Sequence, residues 1–425
     1  MAMDDAGASL SVEMSAMGRA AKAAAQALRL ADAAARTRAI AAMARAVRAG
    51  APQILAANAA DVAAATAAGT APAMVDRLLL DAGRLEGVAA ALETIAAIPD
   101  PVGQEMGRWT RPNGLDIARV RTPIGVIAIV YESRPNVTAD AAALCVRAGD
   151  AVILRGGSEC LATNLAIHAA LVQGLAEAGL PQTCVQIVRT ADRAAVGHIL
   201  SGLEGAIDLI IPRGGKSLVA RVQAEARAPV LGHLEGLNHV FLHASADPAK
   251  AVAIVVNAKM RRVSVCGAAE TLLVDRATAE TLLPPVAKAL AEAGCELRGD
   301  AAARAIVPMG EASEQDWTTE YLAPVIAVAI VDGVEGAAAH IAAYGSAHTD
   351  CIVAEDPGAA ETFVDLVDSA IILVNASTQF ADGGEFGFGA EIGIATDRLH
   401  ARGPVGAEQL TTYKYVVRGT GQTRP

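Results

Sequence analysis

The chain has 425 residues, which is enough for two or three domains with large buried cores. Its formal charge is −11 and its 35 basic residues are scattered, so a nucleic-acid partner is excluded and a small-molecule partner is favoured. Charged residues interrupt every apolar run before the roughly 18 residues that a membrane helix needs, so no membrane span is predicted.

Residues 1–98 predict several packed helices. They are rich in Ala, which has the highest helix propensity, and their charged residues recur at helical spacing. From residue 99 to residue 116 this pattern stops. Asn113-Gly114 lies there between two short extended runs, an arrangement typical of a β-hairpin.

From Thr122 onward, short apolar runs alternate with helical stretches such as residues 162–178. Strands are predicted at residues 124–130, 151–154, 185–188, 207–211 and 229–231. Apolar strands that alternate with helices indicate a parallel sheet covered on both faces. Such a sheet binds ligands beyond the carboxyl ends of its strands.

A second alternating series indicates a second α/β domain. Its strands are predicted at residues 240–242, 271–274, 325–330, 351–353 and 371–374, and the seam between the two domains at residues 232–238. The chain ends in one more strand, residues 410–417, which is too short to be a domain. We expect it to pair with a distant strand or with another subunit.

Cys266 is the candidate nucleophile. Lys259, Arg261 and Arg262 precede it, and nearby cations lower the pKa of a thiol from its usual value of about 8.5. The alternative is a buried cysteine with a role in packing only.

The cysteines and the N-terminus indicate a protein of the reducing cytoplasm. The six cysteines include no C-x-x-C pair, and the N-terminus has no basic region followed by an apolar core. No metal site is predicted.

Two loops that follow predicted strands place Arg beside paired glycines. Glycine amides approach an anion closely, and Arg binds phosphate bidentately, although each loop is also an ordinary turn. Neither Gly214-Gly-Lys-Ser217 nor Gly387-Phe-Gly389 satisfies a complete nucleotide-binding motif. The two loops together predict a nucleotide phosphate site formed by Arg155, Gly156, Gly157 and Ser158 and by Arg213, Gly214 and Gly215.

Several motifs in a fixed order resemble the γ-glutamyl phosphate reductases, a family within the aldehyde dehydrogenase superfamily. The resemblance runs from about residue 20 to the end of the chain. It rests on Thr122-Pro-Ile-Gly-Val, Arg134-Pro-Asn-Val-Thr, Val152-Ile-Leu-Arg-Gly-Gly, Ile211-Pro-Arg-Gly-Gly, residues 257–274, residues 339–350, Val374-Asn-Ala-Ser-Thr, His400-Ala-Arg-Gly-Pro and Leu410-Thr-Thr-Tyr-Lys.

The resemblance implies an α/β fold like that of the aldehyde dehydrogenases, with two parallel-sheet domains and a small β element for oligomerisation. The cofactor-binding domain would comprise residues 1–105 and 121–231, and the catalytic domain residues 232–395. Residues 106–120 and 396–425 would form the oligomerisation element of a homo-oligomer.

The implied activity is the reduction of L-glutamyl 5-phosphate by NADPH to L-glutamate 5-semialdehyde in proline biosynthesis, with release of phosphate. The reaction would pass through a thioester on Cys266, and Asn136 would stabilise the oxyanion. A functional association with glutamate 5-kinase is also implied.

The resemblance assigns further roles to single residues. Arg155 and the glycines after it would hold the adenosine part of the cofactor, and Glu320 the nicotinamide ribose. Many members have Lys where this chain has Ser158, so the choice between NADPH and NADH stays open. The substrate's two anionic groups need cations, for which the candidates are Arg134, Lys259 and Arg262, then His348 and Arg402.

Two other functions stay open: a hydrolytic aldehyde dehydrogenase, and a nucleotide-binding scaffold without catalysis. Retention of Cys266 and Asn136 argues against the scaffold. Hydrolytic members have a glutamate that activates water, and the alignment places Gly232 at its position. A small shift of the alignment would instead offer Glu235 as the base.

Overall fold

The N-terminal region is helical, as its composition predicts. The computed structural model describes residues 2–424, and this region contains α1 (Ala2–Leu30), α2 (Ala33–Ala49), α3 (Ala51–Ala67), α4 (Pro72–Leu78) and α5 (Ala82–Ala97). Asp32 and Asp81 cap α2 and α5, because their carboxylates accept the backbone N–H groups of Ala35 and Arg84.

The predicted hairpin follows the helices. Its strands are β1 (Glu105–Thr110) and β2 (Asp116–Pro123), which pair in antiparallel register. Gly114 lies in the turn with a φ of +84°, a left-handed conformation that glycine adopts without steric cost.

The first parallel sheet has the strand order β5-β4-β3-β6. Its strands are β3 (Val126–Tyr131), β4 (Ala151–Arg155), β5 (Val185–Ile187) and β6 (Leu209–Arg213), and its helices are α6 (Asn136–Ala148), α7 (Leu161–Glu177), α8 (Ala194–Leu200) and α9 (Lys216–Glu225). Helices α1, α2 and α5 share the buried core of this sheet. The strand predicted at residues 229–231 is reduced to one bridge between Val230 and Ile210.

The second sheet is larger and also parallel, with the order β10-β9-β11-β8-β7-β12-β13. Its strands are β7 (Asn238–Leu242), β8 (Ala269–Asp275), β9 (Glu296–Gly299), β10 (Gly310–Glu311), β11 (Val325–Val331), β12 (Thr349–Val353) and β13 (Ile371–Val374). Its helices are α10 (Pro248–Met260), α11 (Ala279–Glu292), α12 (Ala301–Ile306), α13 (Gly333–Tyr344) and α14 (Pro357–Leu366). The short, polar β9 and β10 carry no apolar run, so the sequence did not predict them.

The C-terminal region divides between two environments. After the short pair β14 (Ile394–Ala395) and β15 (Gly403–Pro404), the strand β16 (Thr411–Arg418) pairs with β2 and completes a three-stranded antiparallel sheet. Residues 401–410 instead contribute Ala401, Val405 and Leu410 to the core of the first parallel sheet. They therefore pack with the predicted cofactor-binding domain and not with the predicted oligomerisation element.

The first parallel sheet brings two of its loops together. Tyr131 and Arg213 end the neighbouring strands β3 and β6 side by side, so the loops that follow them are adjacent.

Within residues 2–424, no helix is both long enough and apolar enough to span a membrane.

Candidate active site

Cys266 lies in the loop between α10 and β8, and its carbonyl group is held firmly. Asn238 Nδ2 donates hydrogen bonds to the carbonyl oxygens of Cys266, at 2.5 Å, and Ala268, at 2.8 Å. Gly236 passes so close that a Cβ atom there would lie 2.1 Å from the Cys266 carbonyl oxygen. The thiol therefore projects from a backbone that cannot shift freely. The other five cysteines are buried, and all six are free.

The charges around the thiol differ from the sequence-based expectation. Burial raises the pKa of Cys266 to about 11; the positive charge of Arg213 opposes this shift, and the carboxylates of Glu391 and Glu320 add to it. The cations expected to act on the thiol were Lys259, Arg261 and Arg262. The thiol is thus protonated at neutral pH and needs a proton acceptor before it can attack a carbonyl.

Lys259 is not available to the substrate, which corrects its predicted role. Its side chain is completely buried, and Nζ lies 2.5 Å from Oε2 of Glu270, which is buried as well. A buried ion pair of this kind holds both side chains in place, and breaking it leaves an uncompensated charge. Arg402 is also engaged elsewhere, because it contacts both the carboxylate and the backbone carbonyl of Asp368.

Arg213 occupies a different place from the one predicted for it. We expected it to contact cofactor phosphates, but its charge acts on Cys266, Asp140 and Glu391. Its guanidinium group also lies beside Gly393, 3.7 Å from the position that a Cβ atom would take there. Arg213 therefore belongs to the surroundings of the thiol.

The glycines after Arg213 hold a protein carboxylate. The backbone N–H of Gly215 donates to Oε2 of Glu132 at 2.9 Å, and a Cβ atom on Gly214 would lie 2.7 Å from the Glu132 side chain. The close approach that glycine permits is thus used by Glu132. The phosphate cradle expected from Gly214 and Gly215 stays a prediction, and Glu132 would have to release the Gly215 amide for it to form.

Four arginines surround this region without ion-pair partners. Burial lowers the pKa of Arg134, and the positive charges of Arg213, Arg77 and Arg262 lower it further. Among the ion pairs of the described residues, none includes any of these four. Unpaired guanidinium groups this close to one another favour an anionic ligand. Arg77 was missed because it resembles the solvated charges of the N-terminal helices.

Asn136 is the first residue of α6 and lies beyond the carboxyl end of β3. Its Nδ2 donates a hydrogen bond to Oδ2 of Asp140 at 3.0 Å, one helical turn later. Burial raises the pKa of Asp140 to about 6, and the contacts with Asn136 and Arg213 partly oppose that shift. Asp140 therefore fixes which way the amide of Asn136 faces.

Two histidines that the sequence analysis did not place beside Cys266 complete this side of the site. A ring nitrogen of His233, a ring nitrogen of His348 and Sγ of Cys266 all lie within 4.8 Å of one another. Nδ1 of His233 is 2.6 Å from the carbonyl oxygen of Ile394, which can only accept, so Nδ1 carries the proton and Nε2 the lone pair. Burial lowers the pKa of His233, so the neutral ring prevails at pH 7.

Known proteins share most of this sequence and its fold. The family model for the aldehyde dehydrogenase family matches residues 6–304. The γ-glutamyl phosphate reductase of Caulobacter vibrioides is 74% identical over 413 residues, covering 97% of this chain and 100% of that protein. The corresponding enzyme of Hyphomonas neptunium is 64% identical, covering 98% of each chain. The crystal structure of γ-glutamyl phosphate reductase from Thermotoga maritima superimposes with a TM-score of 0.95 at 42% identity, covering 97% of this chain and 100% of that chain.

The chain belongs to the aldehyde dehydrogenase family. The predicted fold class is confirmed. Membership of the family implies a nicotinamide cofactor, and the surroundings of Arg155 fit a cofactor that carries phosphate. Arg155 Nη1 and Nη2 bond to the carbonyl oxygens of Gly156 and Ala191, whereas Nε is buried without a partner among the described residues. Burial lowers the pKa of Arg155; the carboxylate of Glu159 opposes this shift and the positive charge of Arg193 adds to it, so a second cation lies close to Arg155.

The other predicted cofactor residues of this aldehyde dehydrogenase are placed less uniformly. Gly156 and Gly157 face protein atoms, since added Cβ atoms would lie 2.2 Å from Asn164 and 2.7 Å from Glu159. Ser158 begins a single 3₁₀ turn, Ser158–Cys160. Glu320 lies near Cys266, and its carboxylate accepts the backbone N–H of Gly236 at 2.9 Å.

Gly232 stands where the alignment places the glutamate of a hydrolytic aldehyde dehydrogenase, and its carbonyl oxygen accepts the backbone N–H of Thr396 at 3.1 Å. Glu235, the alternative base, lies 2.6 Å from the Nζ of Lys216 in an ion pair. The carboxyl group closer to the thiol belongs to Glu391, which raises the pKa of Cys266 and accepts the backbone N–H of Gly383. If this chain had a hydrolytic base, Glu391 would be the first candidate.

Proposed function

We propose that this chain reduces L-glutamyl 5-phosphate to L-glutamate 5-semialdehyde, with release of phosphate, in proline biosynthesis. The observation that carries the proposal is one partly buried thiol beside arginines without ion-pair partners, Arg77, Arg134, Arg213 and Arg262. The substrate has a phosphate and an α-carboxylate, both of which guanidinium groups bind bidentately. The named relatives, which align with nearly the whole chain, support the same reaction.

The first step makes a thioester. Sγ of Cys266 attacks the acyl carbon, the bond to phosphate breaks, and phosphate leaves. The thiol proton passes to Nε2 of His233, whose lone pair is free because Nδ1 donates to Ile394. His348 is the weaker base, since complete burial depresses its pKa well below the usual value.

Asn136 stabilises the tetrahedral oxyanion of this step. One N–H of its amide is directed at Asp140, which leaves the second N–H for the oxyanion, together with the backbone N–H of Cys266. Fixed donors of this kind need no reorganisation when the charge develops, which is why they lower the barrier. Asp140 acts through Asn136 and is a positioning residue.

A bound nicotinamide cofactor supplies the hydride that reduces the thioester carbonyl to the level of the aldehyde. When the carbon–sulfur bond then breaks, protonated His233 returns its proton to the sulfur of Cys266. The thiol is restored, and the one proton that the reaction consumes, which the departing phosphate takes up to become HPO₄²⁻, comes from solvent.

We propose NADPH as the preferred cofactor. Arg155 lies at the carboxyl end of β4, and Arg193 follows β5 in the neighbouring loop. Together they offer two cations for the 2′-phosphate that distinguishes NADPH from NADH. Arg193 supplies the charge that Ser158 does not.

The three-stranded sheet supports a homo-oligomer. On β16, Tyr413, Tyr415 and Val417 share one face and are 43%, 55% and 53% exposed, and Trp109 on β1 packs its ring against Tyr415. An exposed apolar face of this kind is typical of a contact with a second copy. We propose this role for residues 106–120 and β16, and the mass of the protein in solution tests it.

The remaining assignments follow from the same proposal. We propose a cofactor-binding domain from residues 1–105 and 121–231 and a catalytic domain from residues 232–395. The free cysteines favour a cytoplasmic location. Because an acyl phosphate hydrolyses readily in water, we also propose a functional association with glutamate 5-kinase.

The decisive experiment is the reverse reaction. Enzyme, NADP⁺ and glutamate 5-semialdehyde are incubated with and without phosphate, and formation of NADPH is followed. A reductase requires phosphate to cleave the thioester, so steady turnover without phosphate should be negligible. Fast turnover without phosphate would instead identify a hydrolytic aldehyde dehydrogenase, and Glu391→Gln, matched by Glu235→Gln, would then locate its base.

A further inference from the structure

The two histidines beside Cys266 come from distant parts of the chain. His233 lies in the segment before β7, Cys266 before β8, and His348 immediately before β12. One ring nitrogen of each histidine and Sγ of Cys266 lie within 4.8 Å of one another. Since the three positions share no short sequence spacing, no metal-binding motif indicated them.

Each histidine of this cluster keeps one ring nitrogen without a hydrogen bond among the described residues. His233 uses Nδ1 to donate to Ile394, which leaves the lone pair of Nε2 unused. His348 is completely buried, Nδ1 lies 2.9 Å from Oγ1 of Thr349, and Nε2 has no hydrogen-bond partner among the described residues. An unpaired buried nitrogen destabilises the protein, so a ligand that satisfies it is favoured.

We propose that His233, Cys266 and His348 form an inhibitory binding site for Zn²⁺. Imidazole nitrogens and thiolate sulfur are the ligands that Zn²⁺ prefers, and three protein ligands leave a fourth tetrahedral position for water. Zn–N and Zn–S bonds of about 2.0–2.3 Å require ligand atoms roughly 3.3–3.8 Å apart. The observed atoms are at most 4.8 Å apart and need to approach by up to roughly 1.5 Å, which side-chain rotations provide.

Binding replaces one bond of the sulfur by another. The S–H bond of Cys266 breaks, an S–Zn bond forms, the proton passes to the buffer, and nothing is oxidised or reduced. The sulfur lone pair is then held by the metal and cannot attack a carbonyl. Inhibition rests on the proposed role of Cys266 as nucleophile, whereas binding itself does not.

The neighbouring charges make the site selective. Arg213 repels every cation, so a hard ion such as Mg²⁺ gains nothing here. Zn²⁺ overcomes the repulsion through its bond to thiolate, and the carboxylates of Glu391 and Glu320 reduce the net positive charge. We therefore expect inhibition by micromolar Zn²⁺ and none by millimolar Mg²⁺.

The first test uses the unmodified protein. Iodoacetamide alkylation of Cys266 is followed by peptide mapping, alone, with Zn²⁺, with Mg²⁺, and with Zn²⁺ followed by EDTA. The inference predicts that Zn²⁺ slows alkylation of Cys266 at least about tenfold, that EDTA restores it, and that Mg²⁺ has no effect. Unchanged alkylation at saturating Zn²⁺ would overturn it. This readout needs no turnover, so its failure is distinct from failure of the proposed reaction.

The second test removes ligands. His348→Ala, and His233→Asn, which keeps a donor for the Ile394 carbonyl, should raise the Zn²⁺ concentration that protects Cys266 by about ten- to a hundredfold. Cys295→Ala is the matched control, because that buried thiol lies beside Glu296 on β9, and it should change nothing. Equal protection in all the variants would place the metal elsewhere and refute the site.

Discussion

Arg213→Gln tests where Arg213 acts. A role at the cofactor phosphates predicts a higher KM for NADP⁺, whereas a role beside the thiol of Cys266 predicts a higher KM for phosphate. The substitution removes a positive charge that acts on Cys266, Asp140 and Glu391 and that has no ion-pair partner among the described residues. A charge-assisted hydrogen bond to phosphate contributes about 1.5–3 kcal/mol, which corresponds to a roughly 10- to 150-fold change in affinity. We expect the KM for phosphate in the reverse reaction to rise by that factor.

The cofactor gives the internal control for Arg213→Gln. The KM for NADP⁺ should change less than about twofold, because the charge of Arg213 acts on the thiol of Cys266 and not on the predicted cofactor site around Arg155. In Arg193→Gln the pattern should reverse, with a higher KM for NADP⁺ and an unchanged KM for phosphate. If Arg213→Gln raised the KM for NADP⁺ and left that for phosphate unchanged, Arg213 would belong to the cofactor site, and the proposed substrate site would be wrong.

Four further substitutions test other parts of the site. Cys266→Ala should abolish turnover and leave the dissociation constant of NADP⁺ unchanged; measurable activity in that variant would exclude a covalent intermediate on this residue. Asn136→Ala should lower kcat by about 10²–10³, the usual effect of losing one oxyanion donor, and a kcat within threefold of wild type would show that Asn136 is structural. Asp140→Asn should raise the free energy of unfolding, measured by urea titration, by up to about 3 kcal/mol at pH 8 and leave it unchanged at pH 4. The pKa of Asp140 is about 6 in the native state and lower in the unfolded state, so the wild type loses stability as the pH rises from the unfolded pKa to the native one. Asp316 accepts hydrogen bonds from Ser313, Tyr321 and Arg298 at the turn that leads to Glu320. Asp316→Ala should therefore lower the free energy of unfolding by about 2–4 kcal/mol in the same titrations and weaken NADP⁺ binding. An unchanged unfolding midpoint would refute this anchoring role.

The amino-acid sequence determined those features that depend on neighbouring residues. Continuous apolar runs indicated strands such as β3 and β11, because a strand covered on both faces needs apolar residues at every position. Asn113-Gly114 indicated the hairpin because a turn with positive φ favours these residues. The order of the motifs singled out Cys266 and Asn136 as candidate catalytic residues. The short, polar strand β9 was missed because it carries neither signal.

The tertiary structure alone decided which side chains meet. Lys259 and Arg213 are both cations near a motif, yet the first is buried against Glu270 and the second acts on the thiol. His233 and His348 approach Cys266 because three loops of one sheet converge, although 115 positions separate the two histidines in the numbering. The burial and the direction of a side chain depend on elements that are distant in the chain. The pKa of Cys266 shows this: the cations beside it in the sequence suggested a lower pKa, but burial raises it.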